Sequence, residues 1–95
     1  MLRQGIAIIC RTKEEFEALA EIVHKTKYTW RGGSIFKYER RYSLPIRISI
    51  NVGEGNKCIS KCETLDYELN PGITEVYEAS DFLHNIIISR RLKGE

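Results

Sequence analysis

The alternation of apolar and polar residues in the middle of the chain predicts the strand around which the fold is organised. Residues 46–52 alternate four β-branched apolar side chains with three polar ones, Arg47, Ser49 and Asn51. A period of two buries one face of a strand and leaves the other face polar. We therefore expect Ile46, Ile48 and Ile50 to point into the core and the three polar side chains to point toward solvent.

A second apolar pattern, with helical spacing, lies near the start of the chain. Residues 5–10 predict a short buried strand. Thr12 and Glu15 then fit a capping box, in which the side chain of each residue accepts a hydrogen bond from the backbone amide of the other. Apolar residues follow at intervals of three and four, at Phe16, Leu19, Ala20 and Val23. This spacing places them on one face. We predict a long helix over 13–26.

Shorter elements surround the central strand. Pro45 has no amide donor and should mark the start of that strand. Residues 53–56 can turn the chain into a partner strand at about 57–61, which makes a hairpin. Before the central strand, residues 28–30 are β-prone, and residues 35–42 form either a strand or an irregular loop.

The last third of the chain predicts one more strand and one more helix. Residues 73–77 alternate again and predict the last strand. Ser80 can cap a helix over about 81–89. The apolar residues that share its predicted face are Phe82, Leu83, Ile86 and Ile87. A short strand at 86–88 is the competing interpretation, because that run is β-branched.

These elements predict the class of the fold. One helix precedes a cluster of strands, and such an order favours an α+β domain. We expect residues 1–95 to form a single small domain in the order β-α-β-β-β-α. A mostly antiparallel sheet of about four strands would carry the long helix on one face, and the C-terminal helix would be short.

Composition excludes several classes of protein. The chain has 95 residues, a net charge of +2, and 42% hydrophobic residues. No apolar run approaches the ~20 residues of a membrane span, and the first residues do not resemble a signal peptide. We expect a cytoplasmic protein without membrane contact or cofactor. Three cysteines without a CxxC pair indicate reduced thiols rather than a zinc site, for which Cys58 and Cys62 would need His24 or His84.

Charge is unevenly distributed and singles out one candidate site. Residues 27–47 hold six lysines and arginines against one glutamate, whereas residues 54–81 hold seven carboxylates against two lysines. Aromatic residues accompany the positive charges, so we call residues 28–47 the aromatic-basic region. Its candidate binding residues are Trp30, Arg31, Lys37, Tyr38, Arg40, Arg41, Tyr42 and Arg47.

The aromatic-basic region has three interpretations. Trp, Tyr and Arg are enriched in protein-binding hot spots, which favours docking of a protein or a small ligand. Aromatic rings with arginines also suit single-stranded nucleic acid or a nucleotide. The third interpretation is structural, with Trp30 and Phe36 in the core and the cations on a solvated face.

Other polar clusters point less clearly to a site. Arg47, Ser49 and Asn51 could line a ligand groove or a dimer contact, although ordinary solvent exposure is the favoured explanation. Five carboxylates could serve hydrolysis or Mg²⁺ binding, at Glu63, Asp66, Glu68, Glu75 and Glu78. Their spacing matches no catalytic motif, and the chain has no nucleophile signature. We therefore expect a protein that is not an enzyme.

Three stretches of the chain resemble small proteins encoded by bacteriophages and prophages. These are the start of the predicted helix at residues 12–19, the Tyr-Thr-Trp-Arg-Gly run at residues 28–32, and the late strand and helix start at residues 73–83. Residues 40–45 depart from the pattern. The resemblance implies an α+β accessory factor that acts by binding in the bacterial host cytoplasm. It would inhibit a host or defence protein or sequester a small signalling molecule.

Our leading hypothesis is a non-enzymatic binding protein that docks a protein partner through the aromatic-basic region. A nucleic-acid or nucleotide binding module that uses the same residues is the alternative. A homo-oligomer with a ligand pocket between its subunits is a third possibility.

Overall fold

The elements of the fold follow the predicted order. The computed structural model describes the backbone of residues 2–53 and 55–92 and the side chains of residues 2–53 and 55–85. Its elements are β1 (Ile6–Cys10), α1 (Lys13–Val23), β2 (Ile46–Ile50), β3 (Ile59–Cys62), β4 (Glu75–Glu78) and α2 (Ala79–Leu92). This arrangement confirms the α+β class and the order β-α-β-β-β-α.

The four strands form one mixed sheet in the order β3-β2-β1-β4. β2 pairs antiparallel with both β1 and β3, and β1 pairs in parallel with β4. The sheet is therefore mostly antiparallel, as predicted. β2, predicted as the strand around which the fold is organised, lies with β1 at the centre of the sheet.

The core lies on one face of the sheet, where the isoleucines of β2 meet α1. Ile46, Ile48 and Ile50 are fully buried, as predicted. Phe16 and Val23, on the apolar face of α1, join the same core cluster. Burying side chains of this size supplies about 1.5–3 kcal/mol each, so this core cluster contributes substantially to stability.

α1 begins as predicted and ends early. The Glu15 amide donates to Thr12 Oγ1 at 3.1 Å, while the Glu15 carboxylate accepts from the amide of Arg11 rather than from that of Thr12. The helix has 11 residues and ends at Val23, whereas α2 has 14 residues. The prediction of a long first helix and a short last helix was therefore wrong in relative length.

α2 begins at Ala79, so Ser80 lies inside its first turn instead of capping it. Phe82 is buried against the core and Leu83 packs beside it. Residues 86–88 belong to this helix, so the competing strand assignment was wrong. The predicted contributions of the Ile86 and Ile87 side chains lie outside the described residues. Within the described chain, neither helix has the length and apolar character that crossing a bilayer requires.

The polar face of β2 is covered rather than exposed, which corrects the sequence prediction. Arg47, Ser49 and Asn51 retain only 5%, 3% and 3% of their surface. Residues 64–70, which we call the covering segment, account for this. The Arg47 guanidinium donates to the carbonyls of Tyr67 at 2.9 Å and Glu68 at 3.0 Å. Alternation showed which face is polar, but it carries no information about what packs on that face.

Candidate functional site

Five aromatic rings hold the irregular part of the aromatic-basic region in place. Phe36 stacks on Phe16 of α1 with centroids 4.8 Å apart, and Trp30 lies 4.8 Å from Phe36. Tyr38 and Tyr42 complete the cluster through edge contacts. Residues 31–45 contain no helix or strand, so the irregular loop that we left open for residues 35–42 is what forms. The rings therefore supply the order that backbone pairing does not.

Backbone contacts fix Trp30 at the edge of β3. Trp30 forms a single parallel β-bridge with Ile59, and the amide of Arg31 donates to the Ile59 carbonyl at 2.8 Å. The amide of Gly33 donates back to the Trp30 carbonyl at 2.7 Å. Gly33 has a φ of 93°, a region that side chains rarely adopt, so a glycine suits this turn. The loop thus presents Ser34 and Ile35 beside the indole.

His24 ties the end of α1 to the same loop. Its Nε2 lies 2.6 Å from the carbonyl oxygen of Phe36. Because a carbonyl only accepts hydrogen bonds, Nε2 carries the proton in this contact. His24 therefore has a structural role, which is to position Phe36 against α1.

A cleft opens where the aromatic cluster meets β3. Its volume is about 600 Å³, and its lining consists of Trp30, Ser34, Ile35, Lys37, Glu39, Arg41, Tyr42 and Lys61. Ile35 lines this cleft beside Trp30 and exposes 68% of its surface. The cleft therefore joins an exposed apolar side chain with a basic wall.

Two cations converge on the ring of Tyr42. The Arg41 guanidinium lies 5.4 Å from its centroid, and Lys61 Nζ lies 5.1 Å from it. Both distances are within the range of cation–π attraction. Burial, and secondarily the hydrogen bond to Glu39, raise the pKa of Tyr42 to about 12. The phenol therefore stays neutral at physiological pH, with both positive groups near its ring.

Each of these cations has a carboxylate close to it in sequence. Arg41 Nε donates to Glu39 at 3.1 Å, and the Tyr42 hydroxyl donates to the same carboxylate at 2.9 Å. Lys61 Nζ donates to Glu63 at 2.6 Å. These hydrogen bonds, led by those from Arg41 and Lys61, lower the pKa of both glutamates. Glu39 and Glu63 are therefore ionised at neutral pH.

The structure brings some of the predicted binding residues together and separates others. The predicted residues at the cleft are Trp30, Lys37, Arg41 and Tyr42. Tyr38 belongs to the ring cluster on the side of α1, and Arg31 and Arg40 are exposed without lining the cleft. Arg47 is buried under the covering segment on the other face of the sheet, so the prediction that it joins this surface was wrong.

Lys61 contributes one of the two cations near Tyr42 but was not among the predicted binding residues. Its signal was its position two residues after Ile59, a spacing that places both side chains on the same face of a strand. The register pairs Lys61 with Ile48, so it lies on the face that carries the aromatic cluster.

The carboxylates that we considered for catalysis or metal binding are dispersed. Glu75 pairs with Arg3 and Glu78 pairs with Arg11, while Glu63 serves Lys61. Among the described residues, no group of three or more His, Cys, Asp or Glu side chains could hold a metal ion. These acids act in separate ion pairs, and the geometry assigns them no shared chemistry.

The function must be argued from the cleft itself. No protein-family model, curated protein or solved structure matches the chain. What the cleft offers is an apolar side chain, an indole, and positive charge around a phenol ring. These groups suit recognition of a ligand by contact and charge.

Proposed function

We propose that the protein is a non-enzymatic binding protein that docks a protein partner through the cleft. The observation that carries the proposal is the position of Ile35, which is 68% exposed beside Trp30 and within a basic wall. Binding hot spots in protein interfaces combine a tryptophan or tyrosine with arginine, around apolar contacts that exclude water. The cleft places these residue types together on one surface.

The packing of the rings favours a protein partner over nucleic acid. Proteins that bind single strands stack bases on exposed aromatic faces. Here Tyr42 retains only 6% exposure, and Arg41 and Lys61 lie over its ring. Trp30 packs on Phe36. A nucleic-acid or nucleotide module is the alternative, supported by the cations and by the partly exposed Trp30, but Tyr42 is too buried to stack on a base.

The biological setting of the proposal comes from the resemblance to small phage and prophage proteins. In that setting the partner is a host or defence protein in the bacterial cytoplasm, and binding inhibits it. The capped start of α1 at Thr12 and the Trp30 anchor, both part of the resemblance, are present in the structure. They support the fold that presents the cleft, and the setting remains part of the proposal.

The test compares two equally exposed apolar residues. Ile35 and Tyr67 each expose 68% of their surface, but only Ile35 lines the cleft. Immobilised wild type, Ile35→Asp and Tyr67→Asp proteins are incubated with nuclease-treated bacterial lysate, and captured proteins are identified by mass spectrometry. We expect a partner that wild type and Tyr67→Asp retain and that Ile35→Asp loses.

Two outcomes would count against the proposal. Equal recovery of every captured protein by the two variants would place binding outside the cleft. Binding that appears only when the nuclease is omitted would favour the nucleic-acid alternative.

A further inference from the structure

We propose that the segment that enters the cleft is an acidic stretch of polypeptide carrying an aromatic side chain. This inference rests on the proposed function and specifies the chemistry of the partner. The aromatic side chain would lie against Trp30 and Ile35, and carboxylates on either side of it would bind Arg41 and Lys61.

The charge of the cleft selects a negative occupant. Its lining carries three cations, Lys37, Arg41 and Lys61, and one carboxylate, Glu39. Two of the cations lie near the same ring, so an occupant that reaches Tyr42 comes close to two positive charges. Complementary charge of this kind accelerates association and excludes basic partners.

The internal ion pairs of the cleft can be exchanged for pairs with a partner. The side chains of Arg41 and Glu39 are 73% and 39% exposed, and those of Lys61 and Glu63 are 32% and 31% exposed. Exposed pairs contribute little to stability, so a carboxylate from outside can replace either glutamate at small cost. Glu39 and Glu63 thus mark the positions that the carboxylates of the partner would occupy.

The apolar part of the cleft calls for a matching side chain. Its volume of about 600 Å³ exceeds what carboxylates alone would fill. Ile35 and Trp30 form the wall without a carboxylate, and an aromatic ring buries a large apolar area against such a wall. A purely acidic segment would leave Ile35 and Trp30 in contact with water.

The probe for the test is a random copolymer of glutamate and tyrosine, compared with polyglutamate of equal length and with an oligothymidylate. Trp30 is the single tryptophan of the chain, so its fluorescence, excited where tyrosine does not absorb, reports directly on the cleft. We expect the copolymer to shift the emission of Trp30 and to bind about tenfold more tightly than polyglutamate. Its binding should weaken as salt concentration rises.

Two double variants with the same change in net charge serve as a matched pair. Arg41→Gln with Lys61→Gln should weaken binding of the copolymer by about tenfold. Lys25→Gln with Lys27→Gln removes two exposed cations that do not line the cleft and should change the affinity by less than about twofold. Circular dichroism checks that both variants are folded, and the salt dependence of the wild type tests the charge argument without any substitution.

The inference would be overturned if polyglutamate bound as tightly as the copolymer, if the two double variants behaved alike, or if oligothymidylate bound more tightly than either polypeptide. A partner that is captured through Ile35 but is not displaced by the copolymer would overturn the inference and leave the proposed function standing. If no captured protein depended on Ile35 while the copolymer still bound at Trp30, the proposed function would be refuted separately.

Discussion

Arg47 shows how a single buried cation can organise a segment without a carboxylate. The residue exposes only 5% of its surface, and its terminal nitrogens donate to the carbonyls of Tyr67 and Glu68, with a longer contact to that of Leu65. Its Nε atom has no hydrogen-bond partner in the described structure. Hydrogen bonds from a charged donor contribute about 1.5–3 kcal/mol each, which outweighs the cost of one unpaired N–H group.

This balance makes Arg47→Met destabilising although it removes a buried charge. Methionine can fill the space of the aliphatic stem, but the carbonyls of the covering segment lose their donors. We expect the free energy of unfolding to fall by about 2 kcal/mol in urea titrations. Arg40→Met, at an exposed arginine, is the control and should change it by less than about 0.5 kcal/mol. Equal midpoints for the two variants would show that the Arg47 hydrogen bonds contribute nothing net.

At the scale of elements, the covering segment has a second attachment, at its C-terminal end. The side-chain amide of Asn70 donates to Asn51 Oδ1 at 2.6 Å and to Ser60 Oγ at 3.0 Å. Asn51 in turn donates to Ser60 Oγ at 2.8 Å. Because the segment carries no helix or strand of its own, these side-chain contacts and those of Arg47 are what hold it on the sheet.

Asn70→Ala should release the covering segment while the sheet remains folded. Tyr67 and Leu69 are exposed sites that chymotrypsin can recognise, and cleavage requires the local backbone to leave the sheet. We expect cleavage at these residues to accelerate about tenfold, which corresponds to the loss of about 1.4 kcal/mol of local stability. Asn56→Ala, which alters an exposed asparagine outside this network, provides the comparison. A cleavage rate that matches this control would contradict the role assigned to Asn70.

The elements that sequence predicted well are those whose signals are local. The hydroxyl of Thr12 and the helical spacing from Phe16 to Val23 specify the start and the buried face of α1 without reference to other parts of the chain. The end of α1 was missed because no glycine or proline marks it. Instead the Thr26 hydroxyl donates to the Val23 carbonyl and satisfies a group that the helix leaves open.

The candidate site was only partly predictable, because part of it depends on contacts between residues that are distant in sequence. Trp30 and Arg41 stood out because they lie in one stretch that is rich in rings and cations. Lys61 reaches Tyr42 only through strand pairing, and periodicity within one strand does not reveal that pairing. Arg47 was misplaced because alternation turns it away from Ile46 and Ile48 but does not show that the aromatic cluster packs on the isoleucine face.

At the scale of the whole molecule, the sheet separates two surfaces of different character. The register places Lys61 and Ile48 on the face that carries the aromatic cluster, and Arg47 on the opposite face. The covering segment, with Asp66 and Glu68, packs on that opposite face. The uneven charge along the sequence therefore becomes a basic cleft and an acidic cover on different faces, an arrangement that suits docking in one orientation.

The pH dependence of global stability tests the core on which both surfaces depend. Burial, with a smaller contribution from Glu15, raises the pKa of the Cys10 thiol from 9.0 to about 12. In the unfolded chain the thiol loses its proton near its ordinary pKa, while in the folded protein it stays protonated. The unfolded state therefore binds fewer protons above pH 9.0, so the contribution of Cys10 is fully present below that pH and is lost as pH rises toward 12.

We therefore expect the free energy of unfolding to fall on the alkaline side, with Cys10 accounting for about 2 kcal/mol of the loss between about pH 9 and pH 11. Urea titrations across this range should show a shallower decline for Cys10→Ala than for wild type, although the variant starts from a lower stability. Val23→Ala also opens a cavity at a fully buried position but removes no titrating group, so its decline should parallel that of wild type. If Cys10→Ala also ran parallel to wild type, the thiol would have to ionise in the folded core as readily as in the unfolded chain.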